Sequence, residues 1–220
     1  MGFADASHTA GLYRAEVLRT ERVTPHMVRV TFGGADLKKL PQHGYDQWFR
    51  LFLPVSAEPV DFSGLPERFS LGGYLKYLAT KSGTRPPVRN YTVRHHRPEL
   101  GELDVDFVAH GEAGIAGPWA QRAQPGEPIA LIDQGRGFDP LPDATAVFLV
   151  GDESALPAIA GILRDLPRDA VGQAIIELPD EADRQELAEP VGVEVRWLFR
   201  SAPDQQIGKL AHDAVRSYRP

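Results

Sequence analysis

The stretch Arg89-Asn90-Tyr91-Thr92-Val93-Arg94 decides how the rest of this chain is interpreted. In a short strand every second side chain shares a face, so Arg89 and Tyr91 point one way while Asn90 and Thr92 point the other. Arginine offers a planar fork for phosphate oxygens, tyrosine a ring face, and threonine a hydroxyl that donates and accepts hydrogen bonds. Together they suit a ligand with one anionic end and one flat polar end, such as a flavin nucleotide. The alternative is an edge strand with charged ends.

The composition narrows the classes of protein and cofactor to be considered. The 220 residues are 42% hydrophobic and 25% charged, with a net charge of −6, which gives no basic field for nucleic acid. Cysteine is absent, which excludes disulfides, cysteine-ligated zinc and iron–sulfur clusters. The adjacent pair His95-His96 would point to opposite faces of a strand, so no metal site is expected. Neither a signal peptide nor a membrane span is evident, and a cytoplasmic location is expected.

The first 140 residues are predicted to form strands. Residues 102–109 alternate between an apolar face, Leu103, Val105 and Phe107, and an acidic face that includes Asp104 and Asp106. Short apolar or β-branched runs predict further strands at 13–20, 26–32, 47–53 and 128–133. A short helix is expected at 74–79. Several strands with little helix indicate a small antiparallel barrel, which we assign to residues 1–140.

A glycine-rich segment, residues 110–117, precedes a helix predicted over 114–123. Amides at a helix N-terminus can bind an anion, and glycine lets a phosphate approach the backbone closely. The segment therefore suits a phosphate group. The alternative is that the segment binds no ligand and is a loop that leads into a helix.

From residue 141 to 220 the pattern changes to alternating strands and helices. Strands are predicted at 145–150, 172–178 and 193–199, with helices ending at Arg164 and spanning 181–187 and 205–218. This succession predicts a parallel sheet with right-handed crossovers. Three strands are about half of a complete nucleotide-binding sheet, so nicotinamide binding is expected to be weak. Glu177, at the end of the second strand, is a candidate for binding a ribose.

The order of these segments resembles the ferredoxin-reductase superfamily and, within it, the siderophore-interacting proteins, which are FAD-dependent ferric-siderophore reductases. The matching segments are residues 23–30, 89–94, 106–111 with Ala113-Gly114, Trp119-Ala120, and 151–159. The resemblance implies an FAD-binding β-barrel followed by a shortened parallel-sheet domain for a nicotinamide nucleotide. Electrons would come from NAD(P)H or ferredoxin and pass through FAD to a ferric siderophore, with release of ferrous iron.

The resemblance also implies roles for individual residues. Arg89 would hold the FAD pyrophosphate, Tyr91 would pack on the isoalloxazine, and Thr92 would bond its reactive edge. The adenosine and phosphate parts are expected at Asp106, Val108, His110, Gly114, Ala116 and Gly117, with Asn90 inside the motif. The nicotinamide nucleotide is expected at Gly151, Glu153 and Ser154. The chain departs from the family at Gly117, where serine is usual, at Ala109, usually leucine, and at Phe199, usually histidine; the family's later strands are absent.

Basic residues near the flavin motif could attract an anionic ferric siderophore. The candidates are Lys76, Lys81, Arg85, Arg94 and Arg97. Two other functions are open: a flavin or electron-transfer reductase, and an FAD-binding sensor or docking module of a larger siderophore transporter. We expect the protein to be a monomer, and we consider a siderophore transporter as a further partner.

Overall fold

The computed structural model describes residues 11–55, 60, 62–67, 71–81, 83–109, 111–112, 114–141, 143–144, 146–202 and 205–218. Two sheets organise these residues. One is antiparallel and built from the first half of the chain, and the other is parallel and built from the second half.

The antiparallel sheet has seven strands in the order β4-β3-β7-β1-β2-β6-β5. Its strands are β1 Leu12–Thr24, β2 Met27–Gly33, β3 Trp48–Phe52, β4 Val88–Thr92, β5 His95–Arg97, β6 Glu102–Val108 and β7 Pro128–Asp133. The two edge strands are consecutive in the chain, and Arg94 between them donates its amide to the carbonyl of Asp104. The predicted antiparallel fold is thus confirmed, although in the described residues the sheet curves round without a backbone ladder that closes it.

Two helices accompany this sheet: α1, Leu71–Ala79, and α2, Ala116–Ala120. The interior of the sheet is filled by large side chains that are fully buried, among them Phe32, Phe49, Leu51, Phe107 and Leu131. Such a core excludes water from one face of β3, β6 and β7, and its apolar area is the main source of stability for this half.

The parallel sheet has three strands in the order β10-β9-β8, with bounds Val147–Gly151 for β8, Val171–Leu178 for β9 and Gly192–Phe199 for β10. Helix α3, Leu156–Asp165, buries Leu156, Ile159 and Leu163 against it. Helix α4, Lys209–Ser217, follows β10. The predicted strand–helix succession is confirmed. The boundary that we place between residues 140 and 141 stays a prediction.

One predicted helix is wrong. Residues 181–187 contain only a single 3-10 turn, Glu181–Asp183. The reason is that Asp183 is buried and committed to the other half of the chain. Its carboxylate accepts from the Thr24 hydroxyl at 2.8 Å, from the His26 amide at 2.8 Å, and lies 2.7 Å from His26 Nδ1. These bonds tie the turn after β9 to the β1–β2 hairpin and fix the two sheets relative to each other.

Candidate flavin and nucleotide site

Strand β4 places the two main predicted cofactor residues on one side of the sheet. Arg89 lies opposite Leu51 and Tyr91 opposite Phe49 in the antiparallel register with β3. This confirms the predicted alternation. Arg89 and Asn90 are exposed, and the Arg89 guanidinium donates to the neighbouring carbonyl of Val88 at 2.8 Å. A bond this local leaves the fork of Arg89 on the surface, where an anion can reach it.

Tyr91 is partly buried, with its ring centroid 4.3 Å from that of Phe107 on β6. Burial raises the pKa of the Tyr91 hydroxyl, and the nearby Arg89 charge lowers it less than burial raises it. The phenol is therefore neutral at physiological pH and remains a hydrogen-bond donor. Its packing on Phe107 fixes the ring, which would orient a flat ligand placed beside it.

The same Phe107 connects β4 to helix α2. The rings of Phe107 and Trp119 lie 5.6 Å apart, edge to face, and the Trp119 indole donates to Glu127 at 2.8 Å. Trp119 is buried, so it anchors the short helix to the sheet. Tyr91, Phe107 and Trp119 thus form an aromatic chain that holds the arginine strand and the glycine-rich helix start on one core.

The glycine-rich segment leaves open space before that helix. Gly111 and Gly114 have φ of +53° and +81°, and no atom lies within 4 Å of a Cβ built on either. Non-glycine residues adopt this left-handed region at a cost, and the space beside the backbone suits a phosphate. These features, with the exposed Arg89, fit an FAD pyrophosphate. Predicted residue His110 lies outside the described residues.

Gly117 has a different constraint. A Cβ at this position would lie 2.7 Å from the carbonyl oxygen of Val108, so the helix start rests directly on the end of β6. Ala116, beside it, is buried in the core. Glycine at 117 therefore permits close backbone packing, which is a structural reason for the departure from the serine expected by resemblance.

Asp106 and Arg94, which were predicted to meet the cofactor and the substrate, are paired with each other in the interior. Asp106 is buried and accepts from Arg29 at 2.7 and 2.9 Å and from Arg94 at 3.1 Å. Arg94 is also buried, and burial lowers its pKa more than the Asp106 charge raises it. Both side chains are paired with each other in the structure, and the predicted roles of Asp106 at an adenosine and of Arg94 in a basic rim stay predictions.

Arg97 is likewise committed within the protein. It donates to Asp104 at 2.7 Å through both terminal nitrogens and to Glu102 at 2.9 and 3.1 Å. Burial acts to raise the pKa of Asp104, but the bonds from Arg97, His95 and Thr31 outweigh it and hold that pKa well below its usual range. The acidic face predicted for β6 is therefore a buried or half-buried ionic layer.

The three other basic candidates lie on helix α1 or in the segment between α1 and β4. Lys76 and Lys81 are exposed on α1 and just after it, and Arg85 lies 5.4 Å from the Tyr77 ring. Tyr77 packs on Phe52 with ring centroids 5.9 Å apart, in an apolar cluster separate from that of Tyr91. Of the five predicted substrate residues, Arg94 and Arg97 are thus paired with carboxylates of β6, whereas Lys76, Lys81 and Arg85 lie on α1 or in the segment after it.

The end of β8 and the loop after it contain the residues predicted to meet a nicotinamide nucleotide. Gly151 packs tightly, since its Cβ would lie 2.4 Å from that of Ala155. Ser154 is turned to Asp152, donating its hydroxyl at 2.6 Å. Glu153 is buried and accepts from Arg200 at 2.7 and 2.9 Å. Its carboxylate is thus paired within the protein, and its role at a nicotinamide nucleotide stays a prediction.

Arg200 is the residue that the sequence analysis missed. It follows β10 and joins Glu153 to Glu177, donating to the latter at 3.0 Å. Glu177 is fully buried and also accepts from the amides of Gly208 and Ala211 at the start of α4. Glu177 thus caps a helix, and its role at a ribose stays a prediction. The sequence signal for this cluster was an arginine directly after one predicted strand, together with carboxylates at or just after the ends of the two other strands.

A cleft of about 260 Å³ lies between the two sheets, at the carboxyl ends of the parallel strands. Its lining includes Gly111 from the glycine-rich segment, Pro179 after β9 and Arg200 after β10. Ligands of open parallel sheets bind at this edge. The cleft therefore joins the glycine segment to the place where a second nucleotide is expected.

Comparison with known proteins agrees with this geometry. Residues 16–137 match the family described as siderophore-interacting FAD-binding domain, and residues 144–219 match the siderophore-interacting protein family. The crystal structure of a siderophore utilization protein from T. fusca superimposes with a TM-score of 0.78 at 32% identity, covering 97% of this chain and 78% of that one.

Several relatives are similar over most of this chain. An uncharacterized Mycobacterium tuberculosis protein is 42% identical over 86% of this chain, which spans 65% of that relative's length. Ferric vibriobactin reductase ViuB of Vibrio cholerae is 36% identical, over 89% of this chain and 69% of that protein. The NADPH-dependent ferric-chelate reductase of Escherichia coli is 33% identical, over 86% and 71%. A region of the mycobactin import protein IrtA of Mycolicibacterium smegmatis is 31% identical, over 90% of this chain and 21% of that protein.

No helix in the described part of the chain has both the length and the apolar character that crossing a bilayer requires.

From the matched segments, the exposed Arg89, the aromatic chain through Tyr91 and the open glycine turn, the chain belongs to the siderophore-interacting protein family, with an FAD-binding domain over residues 16–137.

Proposed function

We propose that this chain holds FAD between β4 and the segment before α2 and reduces ferric iron bound in a siderophore. The observation that carries this is the exposed Arg89 next to Tyr91, linked through Phe107 and Trp119 to the open turn at Gly111 and Gly114. Residues 1–140 would form the FAD domain and residues 141–220 the nucleotide-binding unit. The relatives named as ferric reductases support this assignment.

The residues of the chain would divide the binding of FAD between them. The Arg89 fork would pair with pyrophosphate oxygens, and the amides from Gly114 to Gly117 would donate to the same phosphates. Tyr91, fixed on Phe107, would support the flavin ring, and Thr92 would bond its edge. When bound, FAD supplies the redox chemistry, because a flavin accepts a hydride and can release single electrons.

Reduction would release the iron for a physical reason. Siderophores hold ferric iron through hard oxygen donors, and ferrous iron, with less charge, fits those donors poorly. One electron added to the iron thus weakens the chelate without any bond in the siderophore being broken. The protein would supply orientation and an accessible flavin edge. Lys76, Lys81 and Arg85 remain candidates for long-range attraction of an anionic chelate, an effect that salt screens over about 8–10 Å.

The electron donor would be a reduced nicotinamide in the cleft at Gly111, Pro179 and Arg200, where parallel sheets bind ligands. The alternative donor is ferredoxin. A cytoplasmic location and association with a siderophore transporter belong to the same proposal; the similarity to part of a mycobactin importer supports the latter.

The test is anaerobic. The FAD-loaded protein is reduced by light, a ferric catecholate or hydroxamate siderophore is added with a ferrous-specific chelator, and flavin reoxidation is followed by its absorbance. We expect reoxidation together with trapped ferrous iron in a ratio of two irons per flavin. If the reduced protein-bound FAD is reoxidised by added free flavin but not by a ferric chelate, the flavin-reductase alternative is favoured. Stable FAD binding without electron transfer to any chelate would favour the sensor module.

A further inference from the structure

Helix α1 carries an apolar face that points away from the protein. Leu71, Leu75 and Leu78 are spaced so that they share one side of the helix, and they are 77%, 58% and 42% exposed. The opposite side is the buried one: Tyr77 packs on Phe52, and its hydroxyl donates to the carbonyl of Pro86 at 2.9 Å. A surface helix normally directs its leucines to the core, so this helix has the reverse arrangement.

Burying these leucines elsewhere would be favourable. Single exposed apolar residues are common on protein surfaces, but a cluster on one helix face marks a surface that meets another apolar phase. In the part of the chain that the structure describes, the contacts that hold α1 are made by the Tyr77 side, within the cluster of Phe52, Leu65, Ala130 and Ile132. Three leucines are therefore presented by a helix whose attachment does not depend on them.

The charge around this face indicates what it meets. Between residues 68 and 98 the sequence contains no aspartate or glutamate, in a chain whose net charge is −6. The basic residues of that stretch are Arg68, Lys76, Lys81, Arg85, Arg89, Arg94 and Arg97. Lys76 and Lys81, the two that belong to α1 or closely follow it, are exposed. The nearest acidic residue before the leucine face is Glu67 and the next after it is Glu99, so the charged residues close to this face in sequence are mainly cations.

We propose that α1 docks this protein onto an anionic lipid bilayer. Leucines on one side of a short helix and lysines beside them are the composition of helices that lie in the membrane interface. The leucines would enter the boundary between headgroups and acyl chains, and Lys76 and Lys81 would contact anionic headgroups. A second copy of the chain is a poorer occupant, because pairing two identical faces would bring the lysines of the two copies close to one another.

The consequence is positional. Tyr77 and Val88 share one apolar cluster, and Val88 begins the strand that carries Arg89 and Tyr91. Docking through α1 would therefore hold β4 close to the bilayer surface. This inference does not depend on electron transfer, since it concerns a surface on the far side of the sheet from the Tyr91–Phe107 cluster.

The experiment is flotation of the 220-residue protein with two kinds of vesicle. One contains phosphatidylcholine alone, and the other contains in addition roughly 30% phosphatidylglycerol, which gives the surface the negative charge of an anionic leaflet. We expect binding to the anionic vesicles that declines with salt, and weak binding to the neutral ones. The double variant Leu71→Gln with Leu75→Gln should bind at least tenfold more weakly, since each leucine removes apolar area from water. Lys76→Gln with Lys81→Gln should remove most of the salt dependence.

The matched control is Leu100→Gln, a leucine that is 60% exposed in the turn between β5 and β6 and should not change vesicle binding. Thermal melts and bound FAD should be unchanged in every variant, because the substituted side chains point outward. Absence of wild-type binding to anionic vesicles at low salt overturns the proposal, as does equal binding by the double leucine variant. Self-association detected by light scattering and abolished by that variant overturns it in favour of a second copy of the chain.

Discussion

The guanidinium of Arg200 donates to the fully buried carboxylate of Glu177 at 3.0 Å. The pair connects the end of β10 to the end of β9, and Glu177 in addition accepts from the amides of Gly208 and Ala211. One carboxylate thus caps α4 and neutralises a buried arginine. This relationship gives Glu177 a structural role in the parallel sheet, and binding of a ribose by this residue stays a prediction.

Glu177→Ala should lower the free energy of unfolding by about 3 kcal/mol, because it leaves the buried Arg200 with Glu153 alone and uncaps α4. Urea unfolding followed by circular dichroism measures this. Glu194→Ala is the control: Glu194 is exposed and bonded only to Gln173 in the hydrogen bonds that the structure shows, and its loss should change stability by about 0.5 kcal/mol or less. Unchanged stability of Glu177→Ala with weakened NADH binding would instead support the ribose role.

Arg89→Ala should weaken FAD binding by about ten- to a hundredfold, since hydrogen bonds from an arginine to a charged group contribute about 1.5–3 kcal/mol. Riboflavin, which lacks phosphate, should bind the variant and the wild type equally. Quenching of flavin fluorescence during titration measures both affinities. The matched control is Arg196→Ala, an exposed strand arginine on β10. An equal loss of affinity for riboflavin would contradict the phosphate assignment.

Asp104→Asn should make stability less dependent on acid pH. The folded pKa of Asp104 lies below its unfolded value near 3.9, so its contribution is complete above that pH and declines as the pH falls below it. At pH 7 the variant should be about 3 kcal/mol less stable, because Arg97 and His95 lose a buried partner. Urea midpoints at pH 7, 5, 4 and 3 should show this difference constant to about pH 5 and shrinking below pH 4. A difference that widens with acid would be evidence against the ionic layer.

Gly117→Ser should not improve FAD binding, although the family's usual residue at this position supplies a hydroxyl. The new Cβ would lie 2.7 Å from the Val108 carbonyl oxygen, and relieving that contact should cost about 1–3 kcal/mol. Gly117→Ala separates the two effects, since it adds the Cβ without the hydroxyl. Gly64→Ala, where the nearest atom is an ordinary 3.6 Å away, is the neutral control. Tighter FAD binding by the serine variant with an unchanged melting temperature would show that the helix start can move.

The identity of the chain was accessible from its sequence because the decisive residues are close together along the chain. Arg89 and Tyr91 share a face through the period of the strand, and the structure keeps them so. The glycines at 111 and 114 mark a turn by their own conformational freedom, whatever surrounds them. The strand–helix alternation after residue 141 likewise follows from local hydrophobic spacing. Each of these features is a property of a short segment.

Only the tertiary structure decided which partners the charged side chains have. The alternation of β6 predicted that Asp104 and Asp106 share one face, but it did not show that Arg29 on β2 and Arg94 between β4 and β5 pair with Asp106 in the interior. Arg200 does the same for Glu153 and Glu177 across 47 and 23 positions of sequence. A carboxylate has the same local pattern whether it meets water, a ligand or a distant arginine. The free energy that separates these outcomes is the balance of desolvation against pairing, which exists only once segments that are distant in sequence have packed together within each half of the chain.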